Sequence, residues 1–268
     1  MQHSYLTAFV FAFLSIRAAA QDVSSVIRAE RSFAAHAVQH GVRSAFLAYT
    51  DSTAVAMDNG QYENALAQWR QRPESDIQLI WGPQYAGASG DGASGFTTGP
   101  YYMKHPGTDT LLLAGQYTTF WVRGLSGDWK YLIDFGIRFP KRLYADPPPN
   151  PITVSLTPDP QATPNKAEET FLQNYRTAGK AAYEGVLDEH SWLNLERHVP
   201  VSKADRFLEL IGRMPVAPEF RPVGSFLSAA KDLAYVYGDV LYVGRKAHYL
   251  RIWGHSPAGW KVLVQVMH

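Results

Sequence analysis

The sequence predicts two tandem α+β domains, each with helices packed on an antiparallel sheet, and three observations predict it. A proline-rich stretch divides the chain, the two flanking segments repeat each other's landmarks in order, and in each segment helical periodicity precedes strand periodicity. The divider is residues 140–165, which hold eight of the 17 prolines, Pro147-Pro148-Pro149 among them, and few apolar side chains. Proline fixes φ and donates no hydrogen bond, so this stretch should be an extended, semi-rigid linker. It separates a first domain at 21–139 from a second at 166–268. Ala29-Glu30, Phe33 and Gly41 correspond at one constant spacing to Ala167-Glu168, Phe171 and Gly179. Tyr117, Trp121 and Trp129-Lys130 correspond to Tyr249, Trp253 and Trp260-Lys261 at a slightly shorter one, as shorter connections in the second copy would produce.

In the first domain Val26, Phe33 and Ala37 set a helical period from about Asp22 to His40. Gly41 interrupts it, a second helix follows over Val42–Tyr49, and a third short one over Tyr62–Gln71 carries Trp69. Strands are expected at Ile77–Trp81, Gly95–Tyr102, Leu111–Arg123 and Trp129–Arg138, with turns at Gly90-Asp91-Gly92 and Ser126-Gly127-Asp128. In the second domain the expected helices cover Lys166–Asp188, broken near Gly179, and Ser202–Gly212, where Ser202 and Asp205 fit a capping pattern. Strands should follow at Arg221–Leu227, Leu233–Tyr242, Lys246–Trp253 and Gly259–Met267.

Ahead of both domains, residues 1–20 read as a signal peptide: an apolar run over Tyr5–Ile16, too short to span a bilayer, then Ala18-Ala19-Ala20 before Gln21. The n-region has no Lys or Arg. The expected location is secreted or periplasmic. The chain has no cysteine, which removes disulfides, thiolate metal sites, cysteine nucleophiles and a lipoprotein anchor. Apolar residues make up 46% of the chain and aromatic ones 13%, enough for two packed cores. Twenty-five basic residues against 24 acidic ones give no field to draw nucleic acid, and no downstream run is long enough for a membrane helix.

The run Ala29-Glu30-x-x-Phe33 before Gly41 and Ala45-Phe46-Leu47 combines with Trp81-Gly82-Pro83, Thr97-Thr98-Gly99-Pro100, Gln116-Tyr117, Trp121 and Trp129-Lys130 with Asp134. Together these residues resemble exported bacterial members of the SnoaL-like, nuclear-transport-factor-2-like superfamily, particularly the domain of unknown function family 4440. The resemblance covers residues 22–139 well and 166–268 more loosely. It implies a cone-shaped fold, a curved antiparallel sheet wrapped around helices to leave a pocket. It also implies relatives that include isomerases, dehydratases and cyclases beside plain binding modules, so it speaks to fold and hardly to chemistry. Since single domains of this superfamily often dimerise through their sheets, the two domains are expected to pack as an intramolecular pseudo-dimer.

Among candidate site residues Asp134 stands out, a carboxylate within Tyr131-Leu132-Ile133-Asp134-Phe135. Strand alternation puts it on one face with Lys130 and Leu132, and Trp129, Tyr131, Ile133 and Phe135 on the other. A desolvated carboxylate in an apolar cone is either a general base or a ligand anchor, with Tyr117 a hydrogen-bond donor beside it. The competing reading is a carboxylate bonded to a neighbouring Tyr, Trp or Arg to fix a strand. The matching position in the second domain is Gln265, which cannot act as a base. Trp69, Trp81, Tyr85, Tyr101 and Trp121 are the aromatic candidates for the pocket wall, suited to a small apolar or aromatic ligand. His36 and His40 have metal-pair spacing but no third ligand, so no metal is expected, and no cofactor. The glycine-rich run Gly87–Gly95 lacks the Gly-Lys-Ser/Thr of a phosphate loop and reads as a flexible turn. The functional expectation is an exported small-molecule pocket protein, non-catalytic or weakly catalytic. The alternative is an isomerase, dehydratase or cyclase using Asp134 as base.

Overall fold

A computed structural model describes residues 23–58, 60–242 and 244–268; the leader expected at 1–20 lies outside the described residues. The first helix, α1 (Val23–His40), buries Val26, Ala29, Glu30, Phe33 and Ala37 along one stripe. Gly41 takes φ +88°, a conformation open to glycine at little cost, and turns the chain into α2 (Val42–Tyr49). The hydroxyl of Thr50 donates to the Phe46 carbonyl at 2.5 Å and closes that helix. Strand β1 (Thr50–Asp58) follows and pairs antiparallel with β2 (Gln61–Asn64). This hairpin was not expected, and it shortens the third helix, α3, to Ala65–Gln71. Asn64 decides that boundary: its side chain accepts from the Ala67 N–H at 2.8 Å as the N-cap, so residues 61–64 go to the ladder.

The rest of the first unit is β3 (Gln78–Trp81), β4 (Tyr85–Ala88), β5 (Ser94–Lys104), β6 (Leu111–Arg123) and β7 (Trp129–Phe139). Its sheet runs β2-β1-β7-β6-β5-β4-β8, with β3 also pairing β5. The last member, β8 (Ile152–Val154), comes from inside the proline-rich segment and lies parallel to β4. That segment is therefore tied down in part rather than simply extended. The glycine-rich run is also more ordered than expected, since Tyr85–Ala88 is a buried strand and only the Gly90–Gly92 portion turns.

The second unit contains α4 (Lys166–Ala178) and then a 3-10 turn over Gly179–Gly185 where a continuing helix was expected. After them come β9 (Trp192–Leu195), β10 (Val201–Ser202), α5 (Ala204–Gly212), β11 (Glu219–Leu227), β12 (Leu233–Tyr242), β13 (Arg245–Ser256) and β14 (Gly259–Met267). The capping pattern at Ser202 is not used: Ser202 pairs with Trp192 in the β10–β9 ladder, and Lys203, at φ +76°, precedes α5 without a side-chain cap. The second sheet runs β10-β9-β14-β13-β12-β11. Strand β1 lies parallel to β7 and β9 parallel to β14, so the sheets are mixed rather than wholly antiparallel. The molecule is thus α+β, with helices on two curved sheets.

Both sheets carry the same bulge. Phe120 faces Ile133 and Trp121 faces Tyr131, leaving Leu132 extra; Ile252 faces Val264 and Trp253 faces Val262, leaving Leu263 extra. A bulge adds bend and twist, and it resets which side the following residues face. The expected grouping of Tyr131 with Ile133 and Phe135 therefore fails. Tyr131 packs under the first unit's helices, whereas Ile133 and Phe135 join an apolar cluster shared with Trp192, Tyr235, Ile252 and Val264 of the second unit. That shared cluster lies between the sheets, while each unit keeps its own cluster beneath its helices. Polar contacts border it. The Asn194 amide donates to the Thr98 and Thr118 hydroxyls at 3.1 and 3.0 Å, and the Gly90 N–H donates to Asp232 at 2.7 Å.

Candidate functional site

Beneath the helices of the first unit lies a cavity of about 130 Å³. Phe33 and Phe46 close it from α1 and α2, and Leu79 and Trp81 from β3. Tyr101 and Met103 come from β5, Tyr117 and Thr119 from β6, Asp134 and Gly136 from β7. The wall depends on Gly115: a Cβ there would come within 2.0 Å of the Ile137 carbonyl and 2.5 Å of the Tyr101 ring. Only glycine lets that ring lie across the sheet.

Asp134 is the polar residue on the β7 side. The Thr119 hydroxyl, directly across the ladder, donates to its Oδ1 at 2.8 Å, and Oδ2 makes no hydrogen bond among the described residues. Asp134 keeps some accessible surface where it lines the cavity, while protein surrounds the rest of it. Burial pushes its pKa up to about 6, opposed by the Thr119 hydrogen bond. The Tyr117 hydroxyl is buried without a partner among the described residues. The adjacent Thr97 hydroxyl donates to Glu30 and accepts from the Trp121 indole, and it makes no well-formed bond to Tyr117. Burial drives the Tyr117 pKa upward, which keeps the phenol protonated.

Behind this wall sits Glu30, fully buried on the apolar stripe of α1. It accepts from the Trp81 indole at 2.5 Å, the Trp121 indole at 3.1 Å and the Thr97 hydroxyl. Burial raises its pKa to about 7; the hydrogen bonds from Thr97 and Trp81 oppose that, and Asp134's charge adds to it. Among the described residues no ion pair reaches either carboxyl. Glu30 was not singled out from sequence, although its signal was present: Val26, Glu30 and Phe33 share one helical face, where a carboxylate has no business without a buried partner.

Of the expected site residues, Asp134, Tyr117, Trp81 and Tyr101 do line the cavity. Three others do not. Trp69 stacks on Phe46 at 4.0 Å with Arg72 over its ring at 4.4 Å, in the cluster beneath the helices but off the cavity. Trp121 lies behind the wall with its indole N–H spent on Glu30 and Thr97. Tyr85 points to the opposite side of the sheet and stacks on Trp192 of the second unit, centroids 5.6 Å apart. His36 bonds Ser44, and among the described residues no three His, Asp or Glu side chains gather to hold a metal.

The second unit has the same frame with a different filling. Arg251 stands on β13 where Thr119 stands on β6: two residues after a tyrosine, two before a tryptophan, and across the ladder from Gln265 as Thr119 is from Asp134. Its Nη1 donates to Glu168 at 2.5 Å and its Nε to Gln265 at 2.9 Å. Tyr249 and Trp253 donate to the same Glu168 at 2.9 Å each. Burial opposes the arginine's charge, but Glu168, Tyr183 and Tyr249 together outweigh it and hold the pKa above its ordinary value. The places of Thr119, Asp134 and Tyr117 are thus taken here by Arg251, Gln265 and Tyr249, all bonded within the protein.

No protein-family model and no curated protein matches the chain. Solved structures similar to part of it include nuclear transport factor 2 from Cryptosporidium parvum, at 13% identity over 43% of this chain and 98% of that one, with a TM-score of 0.35. An NTF2-like protein of unknown function from Cytophaga hutchinsonii is 12% identical over 40% and 90%, TM-score 0.32. A Pectobacterium atrosepticum protein of the DUF3225 family, also of unknown function, is 12% identical over 38% and 84%, TM-score 0.33. Among the described residues no helix is long and apolar enough to cross a membrane.

Proposed function

We propose that this chain is an exported small-molecule-binding protein of two tandem nuclear-transport-factor-2-like units, akin to family 4440, whose first unit holds the ligand and whose second is its structural partner. One observation carries the reading: Asp134 presents an unbonded oxygen to an aromatic-walled cavity, whereas its counterpart in the second unit, Gln265, is bonded to Arg251. A volume of about 130 Å³ limits the enclosed part of a ligand to a small group, for about 150 Å³ suffices for benzene. A fragment screen by thermal shift tests this. Fragments should stabilise the wild type and fail against Thr119→Arg, which places the second unit's side chain in the cavity; a library that stabilises neither overturns it. Export is supported by the apolar run and Ala18-Ala19-Ala20, and intact mass of protein from its native host should begin at Gln21.

A second reading is supported by the site's acid–base character. Asp134, with a pKa of about 6, is largely ionised at neutral pH yet still basic, and the Tyr117 hydroxyl faces the same cavity with a proton to share. That pairing suits enolisation by an isomerase, dehydratase or cyclase. Deuterium exchange into small cyclic ketones, catalysed by wild type and not by Asp134→Asn, would support it; equal exchange in both would remove it.

A further inference from the structure

The two units answer one structural problem, buried carboxylate in an aromatic shell, in two ways. In the second unit Glu168 is matched by one guanidinium, so the buried charge is balanced. Arg251 lies against four rings, its Cζ 4.5 Å from the centroid of Phe171, 4.6 Å from Phe220, 5.2 Å from Tyr249 and 5.8 Å from Trp253. Rings at such distances add cation–π attraction to the ion pair. Gln265, a neutral amide, completes the site by accepting from Nε.

In the first unit the glutamate, tyrosine and tryptophan remain, as Glu30, Tyr117 and Trp121, and so does the phenylalanine of the helix, Phe33. The arginine is replaced by Thr119 and the amide by the carboxyl of Asp134. The change removes the cation and adds a second acid, leaving a cavity where the longer side chain would run. Two basic side chains act electrostatically on the site's tyrosines, Arg31 on Tyr117 and Arg138 on Tyr101, but both are engaged elsewhere. Arg31 donates to the Pro149 carbonyl at 2.6 Å, and Arg138 pairs with Glu196 at 3.7 Å. Two buried acids with no cation paired to them among the described residues form an unbalanced site, and burying such charge is costly without a partner.

Building on the ligand-binding reading above, we infer that this cavity takes a small planar cation, a guanidinium or amidinium group, against Asp134 in the place that Arg251 fills in the second unit. The free Asp134 Oδ2 and the Tyr117 hydroxyl oxygen accept its N–H groups, and the Phe33, Trp81 and Tyr101 rings enclose it. Glu30 lies behind Trp81 and contributes its field rather than a direct bond.

Isothermal titration of the full mature chain with methylguanidinium and with methylurea, its neutral near-isostere, tests the inference. Methylguanidinium should bind at least tenfold more tightly than methylurea at pH 7.5. Its affinity should fall between pH 7.5 and 5, as Asp134 and Glu30 take up protons, while methylurea's stays level. Asp134→Asn should erase the preference for the cation, and Thr119→Arg should abolish binding of both. Equal binding of the two probes by the wild type overturns the cation specificity and leaves the ligand cavity standing. Failure of both probes, in a protein that the fragment screen shows to bind other molecules, also overturns it; failure of probes and fragments alike overturns the cavity reading as well.

Discussion

Replacing Arg251 by methionine removes a cation with no accessible surface from beside Glu168, itself 1% exposed. The guanidinium is held at 2.5 Å by Glu168 and 2.9 Å by Gln265. With charge centres about 4 Å apart and an effective dielectric constant near 20, the pair attraction is about 4 kcal/mol. Methionine has similar reach and fills much of the space, so the loss is chiefly the uncompensated carboxylate, and breaking one side of a buried pair costs roughly 3–5 kcal/mol. For a chain of this size each kcal/mol moves the midpoint by about 2–4 °C, so the variant should melt roughly 6–20 °C below wild type at pH 7. Adding Glu168→Gln removes the stranded charge and keeps an acceptor for Tyr249 and Trp253, so the double variant should regain more than half of the loss. Circular dichroism melts of the four proteins form a double-mutant cycle that reads the coupling directly. A single variant within about 1 kcal/mol of wild type, or a double variant less stable than the single, would refute the account of Arg251 as the second unit's built-in counter-ion.

Three further outcomes follow from the geometry. Folding raises the Asp134 pKa from 3.8 to about 6, so the folded chain holds that proton more tightly than the unfolded one and stability falls as pH rises between about 4 and 6. Asp134→Asn should remove a slope amounting to on the order of 2–3 kcal/mol, seen in urea titrations across that range, and an unchanged slope would contradict the burial of this carboxyl. Asn194→Leu takes the bridging amide away from Thr98 and Thr118 and should cost about 1–3 kcal/mol by urea denaturation. Light proteolysis should nick within 141–150, which is largely exposed, and spare 152–156, where β8 pairs with β4 and Leu156 is buried; first cuts inside β6 would contradict this.

The sequence by itself determined where most of the helices and the meander lie, and of the aromatic wall it named Trp81, Tyr101 and Tyr117 but not Phe33 or Phe46. Those features depend on local periodicity, on turn chemistry and on landmarks that can be matched within one chain. It also marked Asp134, because a carboxylate inside an apolar strand stands out without any tertiary information. What it left open was which way side chains face. Leu132 and Leu263 look like ordinary strand residues, yet each is the extra residue of a bulge, and the first of these insertions separates Tyr131, beneath the helices, from Ile133 and Phe135 in the inter-sheet core. Strands β1 and β9 escaped notice for a related reason: each is held by a partner distant in sequence, β7 and β14, and the short β2 and β10 form only by pairing with them. Only the tertiary structure decided the charge balance. Thr119 and Arg251 are unremarkable letters until the ladder sets them opposite Asp134 and Gln265, and Glu30 and Glu168 until the helices bring them under the sheet. A buried charge is resolved by whatever group lies within a few ångströms in space, and in this chain those groups are 14 to 91 residues apart.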